Sequence, residues 1–206
     1  MPRITVKTTI LNNLAETYHN LPSNASIGAS GEHLVLSNLL KLNFVAGLAP
    51  YNTKEYDLIA SNLNGDKQIN IQVKTALVQY AKNDESNLKW ILSEKNEVVN
   101  SNLIYSFVYL VQESNYYRIF NIPSIIVSEF ISIGHVIYLK IPGPNGKKHK
   151  NTSMRTLSAD AYKNITSKYN RSNLSKFINK KELNFLNNHK NGWLNKYENN
   201  WDIFNY

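Results

Sequence analysis

The hydrophobic positions of the chain first recur with a helical period and then switch to an alternating one. Over residues 25–44 the apolar side chains share one broad helical face, with Ser26 or Ser30 as the expected N-cap. The patterns that follow are typical of short strands. These predicted strands cover residues 45–48, 56–60, 68–75, 88–92, 103–112 and 116–121. A helix followed by a run of strands predicts a mixed α/β domain.

The second half of the chain returns to helical patterns. Pro123 is suited to the first turn of a helix, and it precedes an apolar stretch. The turn-rich residues 142–146 mark the best internal boundary, so we divide the chain into a core of residues 1–146 and an extension of residues 147–206. The predicted elements are a helix at 124–131, a strand at 135–141, and helices at 158–169 and 180–188. We expect the aromatic C-terminus to pack on the core.

Composition narrows the class of protein. The chain has 206 residues, of which 42% are hydrophobic, which is enough for one buried core. It has no cysteine, so disulfides, Cys-ligated zinc and a thiol nucleophile are excluded. No apolar stretch approaches the roughly 18 residues of a membrane span, and no signal-peptide pattern is present. We therefore expect a soluble cytoplasmic protein.

The positive charge of the chain is concentrated at one end. Residues 147–206 hold 12 lysines and arginines against four acidic residues, whereas residues 1–146 hold 11 of each. This asymmetry favours a polyanionic partner contacted through the C-terminal region, with a solvated basic surface as the alternative. Lys147, Lys148 and Lys150 follow the turn-rich stretch and are candidates for phosphate contacts, or simply form a solvated turn.

One predicted strand carries the candidate chemistry. Residues 67–75 alternate, so Gln72 and Lys74 point to the same face of the strand. The Asn64–Gly65 hairpin signal leads back to Asp57, and Glu32 lies in the preceding helix. If these side chains converge, two carboxylates and an amide oxygen suit Mg²⁺ or Mn²⁺ beside an ammonium group. Such a group fits hydrolysis of a phosphodiester bond.

Each of these residues also has a purely structural interpretation. Asp57 alone is typical of a turn, and Gln72 and Lys74 alone are typical of the solvent face of a strand. Glu32 alone is an ordinary helix charge. Thr75 and Gln79 follow the same strand, where they either contact a phosphate or are ordinary polar residues at a strand end.

In these residues the chain resembles the PD-(D/E)XK nuclease superfamily, in a QxK variant. The resemblance covers residues 31–75 and rests on Gly31–Glu32 in a helix, Tyr56–Asp57 before a hairpin, and Gln72–Val73–Lys74 in the next strand. It implies a restriction-endonuclease-like core, a mixed central β-sheet flanked by helices, with a basic C-terminal helical region. It also implies that Asp57 and Glu32 bind the metal and that Lys74 is the catalytic lysine. Gln72 stands where most members have a second acid, and Tyr56 stands in place of proline.

The resemblance implies a function as well as a fold. We expect a divalent-metal-dependent endonuclease that cleaves DNA, with Mg²⁺ or Mn²⁺ as cofactor; cleavage of RNA stays open. Many members act as homodimers, and the sequence leaves the oligomeric state of this chain open. Two alternatives from other classes remain. One is a catalytically inactive nucleic-acid-binding protein that keeps the nuclease fold, which Gln72 favours, and the other is an interaction or regulatory protein whose basic region contacts an acidic protein surface.

Overall fold

The structure, a computed structural model, describes residues 22–78, 85–112, 114–143, 146–166 and 171–205. Its helices are α1 (Asn24–Lys41), α2 (Ser124–Lys140), α3 (Ala161–Thr166) and α4 (Lys180–Asn188). Its strands are β1 (Val45–Leu48), β2 (Leu58–Ser61), β3 (Gln68–Val78), β4 (Lys89–Ser93), β5 (Leu103–Val111), β6 (Tyr117–Pro123) and β7 (Met154–Ser158). Short 3₁₀ turns include Glu94–Glu97 and Trp193–Tyr197. No described helix is both long and apolar enough to span a membrane.

Five strands form a mixed central sheet. Their order is β1-β2-β3-β5-β6, with β3 and β5 parallel and every other neighbouring pair antiparallel. Strands β4 and β7 pair as a separate antiparallel ribbon. The helices lie on both faces of the central sheet, so the expected mixed α/β class is confirmed. Since β7 belongs to the predicted extension and β4 to the predicted core, the ribbon joins the two; the boundary at residue 146 stays a prediction.

The two faces of the central sheet carry separate hydrophobic clusters. On one face, which we call the α1 face, Val35 and Leu39 of α1 are fully buried against Ile71 of β3 and its neighbours. The opposite face, which we call the ribbon face, packs β5 against Trp90 of β4 and Phe130 of α2. The indole N–H of Trp90 donates a hydrogen bond of 2.9 Å to a backbone carbonyl of β5. The alternation of β3 therefore sends successive side chains into different clusters.

Helix α1 begins earlier than its apolar face suggests. Ser23 is the N-cap, and its hydroxyl accepts a 3.1 Å hydrogen bond from the backbone N–H of Ser26. The expected caps Ser26 and Ser30 are wrong, because both lie inside the helix; the Ser30 hydroxyl donates to the carbonyl of Ser26 at 2.8 Å. The first turn, residues 24–27, lies outside the core, so the hydrophobic pattern does not identify the residue that caps it.

The strand predicted at residues 135–141 is also wrong, because α2 continues to Lys140. The Val136–Ile137 pair is β-branched and favours a strand by propensity alone. However, Phe130, Ile137 and Ile141 are buried at spacings of seven and four, which place them on one helical face. Tertiary burial therefore decides the conformation of this segment.

The C-terminal region contains a strand as well as helices. Residues 154–158 form β7, and the helix predicted at 158–169 is observed as α3; residues 167–170 lie outside the described part of the chain. The helix at 180–188 is confirmed. Trp193 stacks on Phe130 with ring centroids 4.9 Å apart, and Phe204 is buried in the cluster of the α1 face. The expected docking of the terminal aromatics on the core is confirmed for these residues, and Tyr206 lies outside the description.

Candidate metal centre at the end of strand β2

A close contact between α1 and β3 sets the position of the candidate centre. An ideal Cβ built on Gly31 would lie 1.9 Å from the Thr75 hydroxyl oxygen. Any larger residue at this position is therefore incompatible with the present helix–strand distance. Glu32 is the next residue of α1 after this close contact.

Asp57 directly precedes β2, at the end of the β2–β3 pair that lies away from the connecting hairpin. Its backbone N–H donates to the carbonyl of Ile71 at 2.8 Å, and its carbonyl accepts from the N–H of Ala49 at 2.8 Å. Its carboxylate Oδ2 accepts a 2.7 Å hydrogen bond from the N–H of Val73. The β2–β3 register ends at the Leu58–Ile71 pair, so one further step places Asp57 opposite Gln72. We call this place the strand fork (residues 57 and 72–74).

Gln72 and Lys74 lie on the ribbon face of β3. Gln72 is buried, and its amide oxygen accepts a 3.0 Å hydrogen bond from Nδ2 of Asn96 in the Glu94–Glu97 turn. The same Asn96 amide donates to the Tyr105 hydroxyl at 3.0 Å. Gln72 is thus fixed in orientation by a neighbouring turn, while Lys74 is only partly buried. A carbonyl oxygen has two lone pairs, so the contact with Asn96 leaves one for a further partner.

Three charged groups, Asp57, His33 and Lys74, influence the ionisation of Glu32. Burial raises the pKa of Glu32 above its usual value, and the negative charge of Asp57 raises it further. The positive charges of His33 and Lys74 act in the opposite direction. The charges of Asp57 and Lys74 thus both act on the carboxylate of Glu32, in opposite directions. The convergence of these three side chains on one metal ion stays a prediction.

The donor set at the strand fork fits a hard cation. Within the described ranges no cluster of three or more His, Cys, Asp or Glu side chains is suited to a metal, so a zinc-type site is not formed there. Two carboxylates with an amide oxygen match Mg²⁺, which often uses one or two protein carboxylates and keeps several waters. Burial is the main cause of the raised pKa of Glu32, and the negative charge of Asp57 adds to it.

The other predicted contact residues lie elsewhere. The Thr75 hydroxyl faces α1, is buried, and has no hydrogen-bond partner among the described residues, so it is part of the helix–strand contact. Gln79 lies outside the described residues. Lys147, Lys148 and Lys150 are exposed on the loop after α2, and within the described chain no ion pair links them to the strand fork.

Sequence reasoning missed two residues of the site. Asn96 and Tyr105 hold the amide of Gln72, yet neither belongs to a recognisable spacing with it. Tyr105 becomes identifiable only once β3 and β5 are known to be parallel with Gln72 beside Tyr105. Asn96 has no such signal, because it lies in a short turn whose position depends on the whole ribbon face.

Comparison with known proteins gives few relatives. No protein-family model matches the chain, and no curated protein matches it. Among solved structures, the chain is similar to a bacterial homing endonuclease with 16% identity and a TM-score of 0.34, covering 52% of this chain and 70% of the other. It is also similar to a Holliday junction resolvase from the archaeal hyperthermophile Archaeoglobus fulgidus, with 14% identity and a TM-score of 0.35, covering 70% of this chain and 98% of the other.

Proposed function

We propose that this protein is a divalent-metal-dependent endonuclease that hydrolyses phosphodiester bonds in DNA. The observation that carries the proposal is the 2.7 Å hydrogen bond from the Val73 N–H to the Asp57 carboxylate, which holds Asp57 beside Gln72 and Lys74. Carboxylates beside a lysine suit a reaction in which an anionic phosphate is attacked by water. The order of these residues along the chain also matches the QxK form of the PD-(D/E)XK resemblance.

Each residue has a role in this proposal. Asp57 and Glu32 hold Mg²⁺ or Mn²⁺, and the free lone pair of the Gln72 amide oxygen adds a neutral ligand. When bound, the ion polarises the phosphate and lowers the pKa of a bound water. Lys74 orients the attacking water and offsets the charge that develops on the phosphate. Asn96 keeps the amide of Gln72 in one orientation, and the Val73 N–H does the same for Asp57.

The wider biological assignments are part of the same proposal. DNA is the expected polyanion for the basic residues 147–206, with Lys147, Lys148 and Lys150 as exposed phosphate contacts. Thr75 and Gln79 are also proposed phosphate contacts; the Thr75 hydroxyl is buried against α1, so its contact requires a local rearrangement. We also propose that the protein is cytoplasmic and forms a homodimer, and that residues 1–146 form the nuclease core.

A nicking assay tests the proposed activity. Supercoiled and branched DNA are incubated with Mg²⁺ or Mn²⁺ and either the wild type, Asp57→Ala or Lys74→Ala, with Lys41→Ala at the exposed end of α1 as the matched control. We expect metal-dependent cleavage by the wild type and the control, and a loss of about 100-fold or more in the two site variants. Cleavage that survives both site substitutions contradicts the assignment.

One observation favours a second candidate, a nucleic-acid-binding protein without activity. Gln72 replaces a carboxylate, and Asn96 already engages its amide oxygen, so the site has less negative charge for a cation. This candidate predicts DNA binding that weakens steeply with salt, together with no cleavage of any DNA structure in the presence of metal.

A further inference from the structure

A cavity of about 250 Å³ lies on the ribbon face, apart from the strand fork. It is bounded by the C-terminal half of α2, residues 141–143 and 149–152 of the following loop, β7 and α3. Volumes of this order are at the small end of ligand sites in proteins. The cavity is therefore large enough for a small molecule or one monomer of a polymer, and too small for double-stranded nucleic acid.

The loop over the cavity is tightly closed. The N–H of Gly143 donates to the carbonyl of Lys147 at 2.6 Å. A Cβ on Gly143 would lie 3.2 Å from that same carbonyl and 3.2 Å from the imidazole ring of His149. A side chain at position 143 would thus crowd His149, whose ring stacks on Tyr138 of α2.

Three aromatic rings form a ladder along this wall. The rings of Tyr138 and His149 are stacked with centroids 3.9 Å apart, and those of His135 and Tyr138 are stacked at 6.0 Å. Nε2 of His135 donates to Oδ1 of Asn151 at 2.8 Å, which anchors the ladder to the loop. Tyr138 is still 40% exposed, so the ladder is accessible from the solvent. Aromatic rings in this arrangement are suited to stacking on a nucleobase.

The charge of the cavity selects an anionic ligand. Its lining contains Lys89 and Arg155 together with two histidines, and the described lining residues include no aspartate or glutamate. Arg155 is buried and paired with Glu97, while Lys89 is exposed at the wall. The exposed Lys147 and Lys148 lie in the same loop. A ligand with both an aromatic ring and a negative charge uses all of these features.

A chain of contacts connects the cavity with the strand fork. Arg155 on the cavity wall pairs with Glu97, and the preceding residue, Asn96, donates to Gln72. Both places thus contact the Glu94–Glu97 turn.

We propose that this cavity binds a single unpaired nucleotide of DNA, with its base stacked on the Tyr138–His149 pair and its phosphate beside Lys89 and the loop lysines. The proposal rests on the proposed function for its choice of DNA as the ligand. A base that leaves the stack for a snug protein pocket is held by aromatic side chains in this way.

Isothermal titration calorimetry of the full chain tests this site separately from cleavage. The protein carries Asp57→Ala and is kept in EDTA, and the ligands are deoxyadenosine monophosphate and, as the phosphate-only arm, deoxyribose 5-phosphate. We expect the nucleotide to bind more tightly than the sugar phosphate. We also expect Tyr138→Ala and His149→Ala each to weaken nucleotide binding by about 10-fold, within the range known for loss of one stacking contact.

Tyr116→Ala is the matched control, because Tyr116 is a half-exposed tyrosine outside the cavity lining, and it is expected to bind like the parent protein. Equal affinity for the nucleotide and the sugar phosphate overturns the proposal, as does wild-type affinity in Tyr138→Ala. Because metal and cleavage are absent from this experiment, a failed nicking assay leaves its outcome unaffected.

Discussion

The two faces of the central sheet are assembled from different parts of the chain. The α1 face draws most of its cluster from a continuous stretch that holds α1 and the first three strands, with further residues from β5, β6 and the C-terminus, among them Phe204 and Trp201. The ribbon face combines β5 with segments that extend to Tyr197. Apart from the partners of Gln72, the candidate metal centre is built from the contiguous part, whereas the larger hydrophobic cluster depends on long-range packing. We therefore expect the geometry of the candidate centre and the overall stability to respond to different substitutions.

The largest effect is expected on the ribbon face. Trp90→Ala removes a side chain that is 2% exposed, contacts Phe107 and Phe120, and donates a hydrogen bond to β5. We expect the free energy of unfolding to fall by about 3–5 kcal/mol, measured by urea denaturation. Ile91→Ala, at the neighbouring exposed position, is the control and should change stability little. Similar losses in both variants would show that the ribbon face is not the main source of stability.

A smaller effect is expected where α1 meets β3. Gly31→Ala forces a methyl group onto the Thr75 hydroxyl, and we expect a loss of about 1–3 kcal/mol, measured by urea denaturation, together with weaker metal binding as Glu32 shifts. Gly28→Ala lies in the same helix with open space around it, so it is expected to raise stability by up to about 1 kcal/mol. Adding Thr75→Ala to Gly31→Ala should recover most of the loss. Equal effects of the two glycine substitutions would contradict the close contact.

The smallest effect concerns the charge of Glu32. Because its pKa is raised in the folded state, the ionised carboxylate costs stability, and the stability present at low pH is lost as pH rises through that pKa. Without metal, Glu32→Gln should therefore raise the Tm at pH 7, by on the order of 1 °C, and leave it nearly unchanged at pH 4. Thermal unfolding at both pH values measures this. Glu94→Gln, at an exposed turn position, is the control, and an equal Tm shift at both pH values would argue against the shifted pKa.

The difference between the α1 face and the ribbon face also explains how much of the fold is predictable from sequence. The strands at 45–48 and 68–75 and the helix at 25–44 are found close to their predicted bounds, because their periodicity is local. On the ribbon face, α2 contains β-branched residues whose propensity favours a strand, so its C-terminal half is not recognisable as a helix from sequence. Strand β7 forms through its pairing with β4, which is distant in sequence. Long-range partners decide both conformations, and hydrophobic pattern does not record such partners.

The candidate site divides in the same way. The order of Glu32, Asp57 and Lys74 along a helix and a hairpin leads to the hypothesis that they converge, and this convergence stays a prediction. The partners of Gln72 are not predictable, because Asn96 and Tyr105 reach it through the β3–β5 register and the ribbon face. The sequence leaves Thr75 open as a phosphate contact or an ordinary polar residue at a strand end. The burial of its hydroxyl follows from the close approach of Gly31 in α1.

Binding of Mn²⁺ to the full chain tests the central claim most directly, because it needs no knowledge of the DNA target. Electron paramagnetic resonance of free Mn²⁺ is measured with the wild type, Asp57→Ala, Glu32→Gln, Lys74→Ala and the control Lys41→Ala. We predict one bound ion per chain, a loss of affinity of at least about 10-fold in Asp57→Ala and Glu32→Gln, and undiminished binding in Lys74→Ala, which removes a nearby positive charge. Wild-type affinity in Asp57→Ala would contradict the metal centre at the strand fork.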